Sequence, residues 1–410
     1  LRRLDLNSVA AATDRAGQVL VRSCEGFSTV QGGSMHDAAG PGSRRSPRRL
    51  RRLRNLLILC LVTALAALAP VAGANAAQPG NAYHQTNLVS DLPGLAQLTD
   101  PDLVNPWGMS NGPMTPMWVS DNGTGEATLY RGFVNGSAIE KVSLTVTIPG
   151  GVPTGQVFNP TSEFVVHSGA ASGPATFIFA SEAGVVTGWN AGVPPPAPST
   201  QAQVGATVPD AVYKGLALAG TANGTFLYAA NFHAAQIDVF DSGFNLVHLS
   251  GNFQDSKIPS GFAPFNIQEL GGLLYVTYAK QDAARHDDVA GQGLGFVDIF
   301  STSGQLVRRL IRRGQLNAPW GLVIAPAGFG RFGGDLLVGN FGNGRIHAYD
   351  PITGQFRGRL RHEDGTPIQI DGLWALRFGN GVIGDPSTML FSAGPDAEAH
   401  GLFGAITAAQ

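Results

Sequence analysis

The chain has 410 residues, with 27 Lys and Arg against 29 Asp and Glu, 55 glycines and 2 cysteines. Residues 1–76 hold 11 of the basic and 4 of the acidic residues, so the rest carries 16 basic against 25 acidic, a net charge of −9. That balance excludes a nucleic-acid binder, which needs a basic face to neutralise phosphates. Both cysteines, Cys24 and Cys60, also fall in the first 76 residues, so the remainder has no disulfide and is long enough to bury a core without one.

Residues 1–34 fit neither a signal nor a domain; they read as an upstream, disordered extension of the gene model before a start at Met35. Gly42 to Arg54 carries seven arginines, and the uncharged apolar run Leu56 to Ala69 follows, broken by Pro70. Ala74-Asn75-Ala76 then offers small residues where a signal peptidase reads. The pattern predicts a signal peptide over 35–76. The run of 14 residues is short of the roughly 20 that span a bilayer. The expectation is a secreted protein, extracellular or periplasmic, with no stable transmembrane anchor after cleavage and a single domain over 77–410.

Within that domain one phrase recurs six times. It appears as Pro106-Trp107-Gly108-Met109, Pro153-Thr154-Gly155-Gln156, Tyr213-Lys214-Gly215-Leu216, Pro264-Phe265-Asn266-Ile267, Pro319-Trp320-Gly321-Leu322 and Asp371-Gly372-Leu373-Trp374. The third positions of the first five, 108, 155, 215, 266 and 321, are separated by 47, 60, 51 and 55 residues, a period that marks a repeat architecture. Each copy opens a unit of short β-branched and aromatic runs separated by Gly, Asn and Pro, which are strands rather than helices. Four strands per unit and six units predict an all-β, six-bladed β-propeller of four-stranded antiparallel blades. His84 to Val89 is a spare strand before the first phrase. It is expected to close the ring beside Gly401 to Ile406 in the last blade, so that no sheet edge is left open. Arg308, Arg309, Arg312 and Arg313, with Arg357, Arg359 and Arg361, fall at fourth-strand positions, where charge protects an outer edge.

The P-x-G-apolar phrase and third strands ending in Phe-Asp or Tyr-Asp resemble NHL repeats. Longer segments, among them Asn87 to Asp91, Asn105 to Gly108, Ser120 to Gly125, Asp287 to Gly291 and Asp371 to Gly381, resemble an uncharacterised family of exported bacterial NHL-like propellers. The resemblance covers residues 83 to 407 and implies fold and export; it carries no activity.

In such a ring the turn before each innermost strand and the loop between second and third strands share one face. That face gathers Asn105, Trp107, Asp121, Asn122, Glu182, Lys214, Asn231, Asn266, Trp320, Asn340, Asp371 and Trp374 as candidate ligand-binding residues. Asn and Asp also cap turns, so each member has a purely structural reading too. Blade four inserts a long loop, Lys280 to Gly293, whose Asp282, His286, Asp287 and Asp288 are candidate metal ligands; the aspartates suit Ca²⁺ and His286 another divalent cation. No G-x-S-x-G or H-E-x-x-H motif occurs.

Three functions are open at this point. The first is a monomeric, exported binding protein that takes a small molecule, a glycan or a protein partner at the channel mouth without turnover. The second is a metal-dependent, lactonase-like hydrolase on the same face, with Asp121, Glu182, Asn231 and Asn340 imitating a cation shell. The third is a cell-surface or matrix scaffold.

Overall fold

The computed structural model describes residues 80, 82–221 and 224–409, all within the compact unit Ala76–Gln410. The expected upstream extension (1–34) and the expected signal peptide (35–76) lie outside the described residues. Among those residues no helix is long and apolar enough to cross a membrane.

Each copy of the phrase lies at or near the start of the innermost strand of a separate sheet. These strands are Pro106–Ser110, Pro153–Phe158, Tyr213–Thr221, Phe262–Leu270, Pro319–Ile324 and Leu373–Phe378. From each the chain steps outward strand by strand. In blade five Pro319–Ile324 pairs with Leu336–Asn340, then Ile346–Tyr349, then Phe356–Arg359, antiparallel throughout. Six such sheets make the expected six-bladed β-propeller. Blade two adds a hairpin of Val165–Ser168 and Ala171–Pro174 between its first and second strands. This insertion accounts for the longest step, 60 residues, between phrase copies.

The phrase glycine has a steric reason. A Cβ on Gly108 would lie 2.4 Å from the Thr154 carbonyl oxygen, and one on Gly155 would lie 2.4 Å from the Leu216 nitrogen. On Gly321 it would lie 2.8 Å from the Trp374 oxygen. Neighbouring innermost strands therefore touch backbone to backbone at these points. Blade four carries Asn266 there, and its amide donates to the Trp320 carbonyl at 2.8 Å. In blade six Ala375 holds the corresponding place, while Gly372 serves a left-handed turn at φ 64°.

Ring closure uses the expected pair of strands. Tyr83–Ser90 lies antiparallel to Leu402–Ala408, from Tyr83 opposite Ala408 to Ser90 opposite Leu402. Leu98–Thr99 covers the outer edge of that strand in parallel. Tyr83 is fully buried and packs on Phe329 and Phe332 of blade five. The fourth strands Leu306–Arg312 and Phe356–Arg359 place their arginines on the outer rim, where Arg309 pairs with Asp255 and Arg357 with Asp350. Between blades the core is apolar, with Leu337, Ala348, Phe391 and Ile406 among its buried members. Burial of each large side chain contributes about 2 kcal/mol.

Candidate functional site

The channel is closed near one end by aromatic side chains from the phrase. Trp107 and Trp374 stack with centroids 3.5 Å apart, and Trp320 meets both edge-on at 6.4 and 5.8 Å. Phe341 stacks on Trp374 at 4.0 Å, and Phe265 lies 5.8 Å from it. Phe265 holds the Trp position of its own phrase copy. The plug is thus largely written into the repeat, since Trp107, Phe265, Trp320 and Trp374 all precede close-contact positions; blade two has Thr154 there, and Phe341 comes from the turn after the second strand of blade five.

Lys214 holds this position in blade three. It is 1% exposed. Its ammonium lies 5.0 Å from the Trp107 ring and 6.0 Å from that of Phe232, close enough for cation–π attraction. It donates to Glu182 and, at 3.3 Å, to Asp287. The Trp320 indole donates to the Lys214 carbonyl at 3.2 Å, which fixes the backbone beneath the charge.

A hydrogen-bonded ring grows from that ammonium across several blades. Asn122 donates to the other Glu182 oxygen at 3.0 Å. Asn105 donates to Asn122 at 3.3 Å and to Glu398 at 2.8 Å, and accepts from the Trp374 indole at 3.2 Å. His286 Nδ1 lies 2.9 Å from Asp287 Oδ1. Ligand atoms of Glu182, His286 and Asp287 fall within 4.8 Å of one another. The Trp107 indole N–H is buried without a protein acceptor among the described residues.

Four carboxylates lie around this one ammonium, and Asp287, Asp288 and Glu398 diverge in acidity. Burial raises Asp288 to about 7, with Glu398 pushing the same way and Lys214 opposing. Burial also raises Glu398; Asn105 opposes it and Glu182 adds to it. Burial acts upward on Asp287 too, but Lys214 and His286 outweigh it and leave that group lowered. The mouth therefore combines ionised and partly protonated carboxyl groups side by side.

The structure thus brings together Asn105, Trp107, Asn122, Glu182, Lys214, Trp320 and Trp374 with His286, Asp287 and Asp288. It places the other candidates elsewhere. Asp121 turns into its blade and accepts the Thr128 amide at 3.0 Å, its acidity held well below normal by burial. Asn231 donates to Asp238 at 2.8 Å and caps Ala234. Asn340 donates to the Gln315 carbonyl and faces His347. Asn266 bridges to Trp320, and Asp371 caps Asp396 in an exposed turn. Asp282 accepts the amides of His286 and Asp287, shaping the loop instead of facing the ring. Asp121, Glu182, Asn231 and Asn340 consequently do not converge on a common cation shell. Conversely, Glu398 was not anticipated. It reaches Asn105 because Asp396, Ala397 and Glu398 all take left-handed backbone, at φ 56°, 52° and 68°.

These features define a six-bladed β-propeller whose channel mouth carries a polar, largely acidic ring over an aromatic plug. The chain belongs to the family of the mimivirus proteins "Uncharacterized protein R648" and "Uncharacterized protein L690" of Acanthamoeba polyphaga mimivirus, each 34% identical to it. The first match covers 78% of this chain and 78% of the relative, the second 79% and 85%. These relatives are viral, whereas the sequence phrases resemble a bacterial family. No protein-family model matches the chain. Solved structures similar in fold include a Penicillium chrysogenum α-L-arabinanase complexed with arabinobiose, with 12% identity, a TM-score of 0.49 and coverage of 79% of this chain and 98% of that one. Another is a putative gluconolactonase, with 16% identity, a TM-score of 0.40 and coverage of 63% and 78%. At these values the likeness says nothing about what this chain binds.

Proposed function

We propose that this is an exported binding propeller, acting without turnover, whose ligand presents a positively charged group to the channel mouth. The carrying observation is that Glu182, Asp287, Asp288 and Glu398 surround the single ammonium of Lys214. Asp288 and Glu398, whose pKa values burial and neighbouring carboxylates raise, gain from a second cation at the mouth. A small-molecule amine, an amino sugar of a glycan or a basic side chain of a protein partner meets that need. Export is supported by the basic stretch, apolar run and A-x-A site of residues 35–76.

Calorimetric titration with spermidine, and separately with Ca²⁺, tests the reading. Saturable binding of at least one is expected, weakened about tenfold in Asp288→Asn. Absence of saturable binding for both would sink it.

The cluster of Glu182, His286 and Asp287 supports a second reading, a divalent-cation site serving a hydrolase. Against it, Lys214 already holds two of those three residues. Metal analysis of the purified protein, with a lactone and ester hydrolysis screen in added Ca²⁺, Zn²⁺ or Mn²⁺, separates the two. Bound metal and turnover would favour the hydrolase.

A further inference from the structure

The innermost strands end in turns on the face opposite the ring, and these turns rim a cavity of about 910 Å³. That volume lies within the range, about 300–1,000 Å³, of small-molecule sites. Its walls are largely apolar, with Phe158, Leu218, Leu322 and Phe378 among them. Inward it narrows to a void of about 10 Å³. Gln156, Gln268 and Arg377 border both spaces.

Arg377 comes from the innermost strand of blade six. It is half-buried and lines the cavity. Its Nε donates to the Asn111 side chain, and Nη2 reaches the Asn111 carbonyl at 3.4 Å. It forms no ion pair with any described carboxylate, and burial alone lowers its pKa, to about 10. The guanidinium is still cationic at neutral pH. Glu269 is the one carboxylate among the lining residues, and it is engaged with the Gly272 amide at 2.6 Å.

The two glutamines differ. Gln156 is committed: its amide donates to the Gly108 carbonyl and to Ser120, and its oxygen accepts from Ser110. The Gln268 carboxamide makes no hydrogen bond to another described residue. A cation without a counter-charge and an unengaged amide therefore border the same apolar cavity. A buried charge is costly until it is paired. The planar guanidinium fork matches a carboxylate.

We propose that this cavity is a second binding site, independent of the mouth, for a small organic carboxylate. The carboxylate sits on Arg377 and Gln268, and the apolar body lies against Phe158, Leu218, Leu322 and Phe378. Two donors suit a singly charged carboxylate better than a free phosphate, and the walls offer phosphate nothing.

The test titrates the intact protein calorimetrically with octanoate, its neutral analogue octanamide, and inorganic phosphate. Octanoate should saturate at one site per chain, with octanamide weaker by about tenfold or more for loss of the charge-assisted bond. Phosphate should not displace octanoate. Arg377→Met should weaken octanoate by about tenfold or more. Because Arg377 also holds Asn111, Gln268→Leu provides a second variant, expected to weaken octanoate severalfold with an unchanged melting temperature. The proposal is overturned if octanoate does not saturate, if octanamide binds as well, or if phosphate displaces octanoate. Unchanged octanoate affinity in Gln268→Leu, or in a folded Arg377→Met, overturns it as well.

Discussion

The Lys214 ammonium lies 5.0 Å from the Trp107 ring while donating to Glu182, so one buried charge joins the aromatic plug to the polar ring. Lys214→Met would keep most of the volume and leave Glu182 without its cation. Breaking a buried pair from one side costs about 3 kcal/mol. Chemical denaturation should show that loss, and Glu182→Gln in the same background should recover part of it. A double-mutant cycle with no coupling between the two positions would mean that the ring is not held by this pair.

The phrase glycines allow a sharper test of the fold. Gly108→Ala places a Cβ 2.4 Å from a backbone carbonyl oxygen in the next blade, which only a shift of the strand can relieve. Overpacking of this kind costs about 3 kcal/mol. Gly220→Ala is the control, because nothing lies within 4 Å of its Cβ and its φ is ordinary. Its stability should stay within about 0.5 kcal/mol of the parent. Equal melting temperatures for the two variants would remove close backbone approach as the reason for the repeat.

That same repeat explains why so much of the fold was legible and less of the site. Close backbone approach demands the phrase glycine in four blades, Gly108, Gly155, Gly215 and Gly321, so the phrase recurs and can be counted. His84 to Val89 was readable as the closing strand because it precedes the first phrase and is surplus to the four strands of a blade. The site residues obey no such repetition. Asn122 follows the second strand of blade one and reaches Glu182, whereas Asn231 ends the second strand of blade three and caps its own loop. Residue type alone does not separate those roles, since both use an amide as donor. Glu398 and Arg377 were passed over for related reasons. The first depends on three consecutive left-handed residues, and the second on the absence of a partner, which only the assembled ring reveals.

Ring closure predicts that the N-terminal strand matters far beyond its length. Tyr83 packs 4.9 Å from Phe329 and 6.1 Å from Phe332, and its hydroxyl donates to the Phe329 carbonyl at 3.2 Å. Tyr83→Ala should cost about 3–5 kcal/mol, as for other large buried aromatics. Deleting Tyr83–Ser90 leaves Leu402–Ala408 with an open edge, which favours association between chains. Light scattering on the deleted protein should show aggregation that an added peptide of that sequence suppresses. A monodisperse deletion product melting like the parent would show that the last blade closes without this strand.

Asp288 predicts the pH response of the ring. Its folded pKa, about 7, stands above the ordinary 3.8 because burial and Glu398 disfavour the charged form. The folded state therefore holds a proton that the unfolded state has released, and stability falls as pH rises between those two values. A shift of this size corresponds to a change on the order of 4 kcal/mol across the window. Asp288→Asn removes this proton, so its unfolding free energy should fall less steeply from pH 4 to pH 7 than that of the parent, and the two curves should run parallel above about pH 8. Asp287 acts in the opposite sense: its lowered pKa makes it a stabilising group that is lost as pH drops through the acid range. The comparison with Asp288→Asn must therefore be read on the neutral limb, where Asp287 stays ionised in both proteins. Parallel curves throughout that limb would show that Asp288 ionises normally and that the mouth does not hold its carboxylates apart in acidity.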